Sequence, residues 1–327
     1  MSVLQDPRKV FIQNIEKSSL KVTYTQSPFV LLCGGPVPTK GSPEEENPNI
    51  VSLRQSVDVE FNTFEFDDDS PQFTLLRPEE IEEWSEDALF KNLMDFEKEL
   101  AAVSSLVVII LESAGSIAEL GAFSQLPELS KKLIVFKSLE YGNETSFIDL
   151  GILKYLKSDY GENRVKKYKW KPLEFGYRPA DIAEGVAGDV LFDINNEVKN
   201  LKKTSKYNGN YDTHVTALIC EILSIFTVLK ESEIFSYLVD LEVDISKDKL
   251  KRKLFILKRF SIVKIEEVSD AKFYYRTTDK FHSVNGFHSG GAIVDKLRLK
   301  TTVSTYYNEK KDRHRLSAIK NIGTHCG

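Results

Sequence analysis

The stretch "VSSLVVIILESAGSIAELGAF", Val103 to Phe123, constrains this chain more than any other. Its first part is a run of branched apolar residues with no polar alternation, and a strand of that kind is buried on both faces, like the inner strand of a parallel sheet. The run stops at Glu112-Ser113-Ala114-Gly115, and "SIAELGAF" then reads as a helix carrying one acid, Glu119. "FVLLCGG" before it and "KKLIVFKS" after it are further short apolar strands, the first stopped sharply by Gly34-Gly35. Strands and helices alternate, so the expected fold class is α/β: a parallel, flavodoxin- or Rossmann-like sheet with flanking helices. Ligands in such sheets sit beyond the carboxyl ends of the strands, where both Gly34-Gly35 and Glu112–Ser116 fall.

The rest of the chain divides around that sheet. Residues 1–26 read as a lead-in with one weak helix, and residues 27–158 as the α/β domain. Within it, "VEFNTFEF" alternates aromatic and polar residues as a strand does, and Asp87–Ala102 has helical spacing. Residues 159–212 read as a linker and a long helix, Pro179–Lys203. Residues 213–290 give three helices (His214–Lys230, Glu231–Leu241 and one capped by Ser246) and two strands joined by "SDA", a winged helix-turn-helix pattern. The third helix would present Lys247, Lys249, Lys251 and Arg252 to nucleic acid or a partner. Tyr274, Tyr275 and Arg276 suit either the wing's contact with a backbone or packing. Residues 291–327 read as a polar, basic, loosely ordered tail.

Charge follows the same division. The formal net charge of −5 hides 24 acids against 8 bases between Ser27 and Asp149, and 23 acids against 32 bases from Leu150 onward. An acidic half joined to a basic half suggests two jobs, although Lys-rich helices are also often merely solvated. No apolar run reaches the length of a membrane helix, since Ala101–Leu111 is strand-sized and Ala217–Leu229 is broken by Glu221. No secretory signal core is read at the N-terminus. Cys33, Cys220 and Cys326 are odd in number and far apart, which fits a reducing cytoplasm and neither a disulfide framework nor a metal site. The five histidines also lack metal spacing.

Glu119 has two readings. "SIAE" matches a capping box, with Ser116 at the cap and Glu119 reaching back to its backbone N–H. A carboxylate so engaged does no chemistry. The alternative takes in the context: free N–H groups at the helix start suit a phosphate or sugar hydroxyl, and Gly34-Gly35 let a ligand approach the neighbouring strand end. A carboxylate there can attack the anomeric carbon of a sugar, or stabilise the positive charge that develops during N-glycosidic cleavage. The coincidence of acid, glycines and loop favours the second reading.

Strand, small loop and G-S-x-x-E-L-G resemble the nucleoside deoxyribosyltransferase family, in which the Glu of this motif is the nucleophile toward C1 of the sugar. "FVLLCGGPV", "VVIILESAGSIAELGAFSQLPELSKKLIVF" and "SFIDLGILKYL" together resemble the deoxyribosyltransferase-like effectors of retron anti-phage systems, over about Phe29–Leu156. The resemblance implies that residues 27–158 are the catalytic domain and Glu119 its nucleophile. Gly34 and Gly35 would line the base or phosphate side, and Glu112, Ser113, Gly115 and Ser116 would surround the ribose and phosphates. Arg77 and Glu79, at another strand end, would contact the ligand or serve only at the surface. The transferase acid before G-S/T is absent, since Ser113 and Ala114 precede Gly115, and the acid before the buried strand is replaced by Ser104-Ser105. These departures leave room for hydrolysis of a larger nucleotide such as NAD. The resemblance further implies a toxin without cofactor, whose substrate is NAD or a nucleotide. It would be held silent by the retron reverse transcriptase and its msDNA until phage infection, with self-association expected. The alternative is a non-catalytic nucleotide sensor with a DNA-binding winged helix. Glu119→Gln separates the two, because a sensor tolerates it and a glycosidase does not.

Overall fold

The computed structural model describes residues 5–37, 50–66, 70, 72–81, 89–141, 145–171, 181–182 and 184–325. The chain forms two compact units, one of Ser27–Asp87 and Asn92–Leu201, the other of Met1–Gln26, Ala88–Lys91 and Lys202–Gly327.

The first unit is built on a sheet of five strands: β1 (Phe29–Cys33), β2 (Thr74–Leu76), β3 (Leu106–Leu111), β4 (Leu133–Ser138) and β5 (Val165–Tyr168). They lie in the order β2-β1-β3-β4-β5, and every pairing is parallel. All positions of β3 and β4 are buried, which is why their sequence carries no alternation. One face packs Val30, Leu32, Val108, Ile110, Ile134 and Phe136 against helices α1 (Leu53–Phe61) and α5 (Val186–Lys199). Alternation turns Leu31, Cys33, Val107, Ile109 and Leu111 to the other face. Helices α2 (Leu93–Val103) and α3 (Ala114–Ser124) cover that side, and α4 (Lys154–Tyr160) precedes β5.

Three expectations fail in this unit. "VEFNTFEF" is not a strand: its first residues end α1, and Asn62–Thr63 form a turn. Ser52 explains the result, because its side chain accepts from the Gln55 N–H and starts a helix that runs through Phe61. The aromatics instead pack on one another, as Phe61 does on Phe66 and Phe73. The linker expected from residue 159 supplies β5, whereas the long helix expected over Pro179–Lys203 is present as α5, whose Val186, Val190, Leu191, Ile194 and Val198 complete the core. The helix expected over Asp87–Ala102 begins only at Leu93, where Asn92 caps it. The loop expected over residues 39–49 lies outside the described residues.

The second unit carries α6 (Asp212–Phe226), α7 (Glu231–Asp240), α8 (Lys247–Arg259) and a hairpin of β6 (Val263–Val268) and β7 (Ala271–Arg276). Three helices followed by a hairpin is the order read from sequence, and Ser246 caps α8 by accepting from the Lys249 N–H. Leu229 bridges to Tyr274 beside the hairpin. The lead-in and the tail are parts of this unit, not appendages. Lys21–Thr23 lies at the centre of a three-stranded antiparallel sheet with residues 204–206 and 283–285. The tail forms α9 (Lys296–Glu309) and α10 (Arg313–His325). Ala318 of α10 packs with Val228, Ala271 and Phe273. Phe90, from the short segment that belongs here, lies edge-on to Phe255 of α8. Among the described residues no helix is long and apolar enough to cross a membrane.

Candidate active site

The strand order reverses between β1 and β3, so the crevice at their carboxyl ends is the topological switch point where ligands of doubly wound sheets bind. The loops Gly34-Gly35 and Glu112–Ser116 meet there. The sequence expects the glycines to admit a ligand, but they admit the protein itself. A Cβ on Gly34 would lie 2.9 Å from Arg54 Cβ, and one on Gly35 would lie 2.8 Å from Ser52 Cβ and 2.9 Å from Glu112 Cδ. The glycines let the start of α1 close onto the end of β1.

Glu112 holds that closure. It is 2% exposed, and its carboxylate accepts from three backbone N–H groups: Gly35 at 2.9 Å, Leu53 at 2.7 Å and Arg54 at 2.9 Å. The last two amides belong to the first turn of α1, so Glu112 neutralises the positive end of that helix. Burial raises its carboxyl above the ordinary range, while the N–H donors and Arg54 pull it down. Glu112 is therefore a support of the site, not the ligand contact expected. Ser113 and Ser116 are also committed to the backbone. Ser113 is the N-cap of α3, accepts from the Ser116 N–H at 3.1 Å and donates to the Gly34 carbonyl at 3.0 Å. Ser116 is fully buried; its hydroxyl donates to Ser113 O and accepts from the Glu112 and Ser113 N–H groups. Gly115 stays exposed, and a Cβ there would meet only Ser113 Oγ, at an ordinary contact distance of 3.7 Å.

This cap answers the question about Glu119. The capping box consists of Ser113 and Ser116, so Glu119 lies a turn deeper in α3 and caps nothing. The Cys33 thiol at the end of β1 donates to its carboxylate, and Oε2 is buried without a hydrogen-bond partner. An unsatisfied buried acceptor costs about 1–3 kcal/mol. Burial raises Glu119 to about 7, with Arg54 pulling it down and Glu79 adding to the rise.

Two residues of this cluster escape the sequence reading. Arg54, on α1 with a side chain 3% exposed, forms a two-pronged ion pair with Glu79, Nη1–Oε1 2.7 Å and Nη2–Oε2 2.6 Å. Its Nη1 also donates to Gly35 O at 3.3 Å. Its Nε–H is buried with no acceptor. Glu97, on α2, is 7% exposed. Burial raises it to about 8, helped by the charges of Glu119 and Glu79 and opposed by Arg54. A signal for Glu97 exists: it follows Phe96 and precedes Leu100 in the apolar stripe of an amphipathic helix, where an acid is out of place. Arg54 gives none beyond its place two residues after a helix cap. Of the remaining expectations, Glu79 joins the cluster through Arg54, while Arg77 pairs with Asp58 at 3.2 Å. Cys33 is a wall of the site whose thiol burial holds in the neutral form. No group of three or more His, Cys, Asp or Glu among the described residues is arranged to hold a metal ion.

In the second unit the four cations expected on the third helix are not equivalent. Lys247 and Lys251 are exposed, but Arg252 is half-buried. Lys249 is ion-paired to Asp212 at 2.8 Å, as is the buried Lys253. The pairing to Asp212 removes Lys249 from the set of free positive groups.

A family model described as the STM3845 retron effector protein matches residues 51–265, a stretch that contains Arg54, Glu79, Glu97, Glu112 and Glu119. The chain is 30% identical over 188 residues to the Escherichia coli "Retron Ec73 putative ribosyltransferase/DNA-binding protein", covering 57% of this chain and 55% of that protein. It is 28% identical over 128 residues to the corresponding retron Ec86 protein of Escherichia coli, covering 39% of this chain and 37% of that one. The chain thus spans about half the length of the first of these relatives, and less of the second.

Proposed function

The chain belongs to the STM3845 retron effector family, and from that premise we propose that it cleaves the N-glycosidic bond of a nucleotide or of NAD, with Glu119 at C1 of the sugar. The observation that carries this reading is the Glu119 carboxylate: it stands at the switch point, free of any capping duty, with a desolvated oxygen that has no partner. An anion in that setting is suited to an oxocarbenium-like centre, whose charge it meets in a low-dielectric site. Its tuning to about 7 keeps a substantial fraction ionised at neutral pH.

Glu97 takes the complementary part. Held near 8, it carries its proton at neutral pH, and two carboxyls with separated acidities divide the roles of acid and base. In cleavage, the bond from C1 to the base nitrogen breaks as Glu119 closes on C1. Glu97 gives its proton to a departing purine or pyrimidine, whereas nicotinamide leaves neutral without one. Water then adds at C1 and frees Glu119; its proton returns to Glu97 where a purine or pyrimidine has left, and passes to solvent where nicotinamide has left, since Glu97 then still holds its own. Deoxyribosyltransferase-like chemistry with water as acceptor accounts for the absence of the transferase acid before Gly115.

The second unit belongs to the control of this activity. Its three helices and hairpin form a winged helix that docks on the retron reverse transcriptase and its msDNA, with Lys247 and Lys251 as the available cations. The complex keeps the toxin silent until phage infection. Self-association of the chain is part of the same reading, and Phe147 and Leu150, 83% and 58% exposed, offer apolar surface for it.

The test is the intracellular pool of NAD and nucleotides, followed by mass spectrometry after induction of the chain alone and with its neighbouring retron genes under phage challenge. Loss of one pool with a free base appearing, in the wild type and not in Glu119→Gln, is the expected result. Unchanged pools under both conditions would instead favour a nucleotide sensor.

A further inference from the structure

Two carboxylates of this chain sit where the switch point would receive an anion. Glu112 fills the first place, on the N–H groups of Gly35, Leu53 and Arg54. Glu79 fills the second, on the guanidinium of Arg54, with Nη1–Oε1 2.7 Å and Nη2–Oε2 2.6 Å. The two differ in burial. Glu112 is 2% exposed and locked in place, whereas the Glu79 side chain is 60% exposed.

The arginine does not share the freedom of its partner. Its side chain is 3% exposed, and Nη1 also donates to Gly35 O at 3.3 Å. Its stem lies so near the loop that a Cβ on Gly34 would meet Arg54 Cβ at 2.9 Å and Cδ at 3.1 Å. A fixed, buried cation therefore faces a carboxylate that water reaches, carried on the short turn Pro78–Glu80 after β2. Departure of Glu79 alone would strand a buried charge, which is strongly unfavourable. Exchange for another anion would not. Glu79 is also an incomplete occupant, since the Arg54 Nε–H stays buried without an acceptor.

The fork dictates what can take the place of Glu79. A guanidinium grips the paired oxygens of a carboxylate or of a phosphate in the same two-pronged way, and a phosphate brings more charge than the carboxylate it replaces. No empty cavity is required, because the incoming group takes the solvent-facing position that Glu79 vacates. The position also suits the sugar chemistry. Arg54 lies against Gly34 and Gly35, and Glu119 takes the thiol hydrogen of Cys33, the residue before them. Cys33 and Gly35 are at most about 7 Å apart along the chain, comparable with the reach of a nucleotide from C1 of its sugar to its phosphate. Resting on the glycosidase reading above, we propose that Glu79 is a stand-in for the phosphate of the substrate: a phosphate-bearing N-glycoside displaces it from Arg54, and a free nucleoside, with nothing to offer the fork, binds weakly. Arg54 is then a specificity-determining residue, and Glu79 sets the threshold that an incoming anion has to exceed.

The experiment uses the purified chain with adenosine, AMP, NAD and inorganic phosphate as probes. Calorimetry gives binding, and chromatography of the same samples gives base release. AMP and NAD should bind at least about 10-fold more tightly than adenosine, the scale of charge-assisted hydrogen bonds, and inorganic phosphate should compete with both. Glu79→Gln keeps the size of the side chain and removes the rival charge. It should tighten AMP and NAD by a further 5- to 10-fold or about that, because the fork is no longer occupied in the free protein, and leave adenosine where it was. A purely structural ion pair predicts the reverse, a looser Arg54 and weaker binding. AMP above NAD assigns the fork to a terminal phosphate and the opposite order to a pyrophosphate, and each upholds the exchange. Equal affinity of the wild type for AMP and adenosine, or weaker AMP binding in a folded Glu79→Gln, overturns the exchange and leaves the glycosidase standing wherever base is released. Phosphate-selective binding without base release from any probe upholds the exchange and overturns the glycosidase. Neither binding nor release overturns both.

Discussion

Two regions of this molecule handle buried charge in opposite ways. In the second unit three largely covered acids each stand between two cations. Glu233 meets Arg8 at 2.8 Å and Arg315 at 2.7 Å, Glu221 meets Lys296 at 2.7 Å and Arg276 at 3.7 Å, and Asp212 meets Lys249 and Lys253, each at 2.8 Å. At the switch point, Glu79, Glu97 and Glu119 share one arginine, Arg54. The first arrangement ties elements together: the Glu233 cluster joins residues 7–14, α7 and α10 through three charged side chains. The second leaves Glu97 and Glu119 holding their protons more tightly than ordinary carboxyls, and an oxygen without a donor. Matched charge ties the structure together, and mismatched charge is where the proposed chemistry is placed.

The largest test of this contrast is Glu119→Gln. It should lower base release by at least about 1,000-fold, the scale of losing an activated nucleophile. It should also raise the free energy of unfolding at pH 8 by about 1–3 kcal/mol, because a buried charge disappears. A variant that is both inactive and less stable would put Glu119 among the structural acids. Next in size is the matched side. Glu233→Gln removes the anion shared by two buried guanidiniums, which keep Asp6 and Asp312 respectively, and urea unfolding should show a loss of about 1.5–3 kcal/mol, with the pH dependence of base release unmoved. A small loss there would mean that the cations find water, and that the pairing is not what holds the termini.

A smaller and sharper test is the pH dependence of the melting temperature, for which the two regions predict opposite slopes. Glu119 near 7 and Glu97 near 8 bind protons more tightly in the folded chain than their ordinary value of 4.5 allows. Their contribution to stability therefore increases as pH falls from about 8 toward 5. Asp212, held down to about 2 by Lys253 and Lys249 against the effect of burial, contributes stability above pH 4 that is lost as pH falls toward 2. The double variant Glu97→Gln/Glu119→Gln should flatten the first slope and spare the second. Smallest of all, Lys251→Gln on the exposed side of α8 should change stability by less than about 0.5 kcal/mol. On the proposed function its effect falls on partner binding, read as a weaker salt-sensitive association with the reverse transcriptase–msDNA complex.

The sequence reveals the sheet where burial leaves a pattern. Strands β1, β3 and β4 show as apolar runs because their neighbours cover both faces, and α6 to α8 show through caps and periodicity. Strand β5 does not show, since "VKKY" carries lysines on an edge strand. The tail helices do not show because "STYYNEKKDRHRL" looks solvated, yet it buries Tyr307 and Arg315. Glu119 was legible as the acid of a motif, while its cap was misplaced by three residues because Ser113 and Ser116 both suit the role. Arg54 was illegible for a different reason. Its function comes from a contact between α1 and the loops after β1 and β3, far apart in sequence, and no local pattern records such a meeting.

Under the proposed function, Glu112 has a consequence for how the activity could be restrained. By supplying from within the chain the anion that the start of α1 attracts, it fixes the glycine loop before any ligand arrives. The loop has no folding step left for a substrate to induce, and none for an inhibitor to withhold. A partner that restrained the proposed activity would then have to work on access or on the assembly of copies, and its release would be a matter of uncovering a site rather than building one.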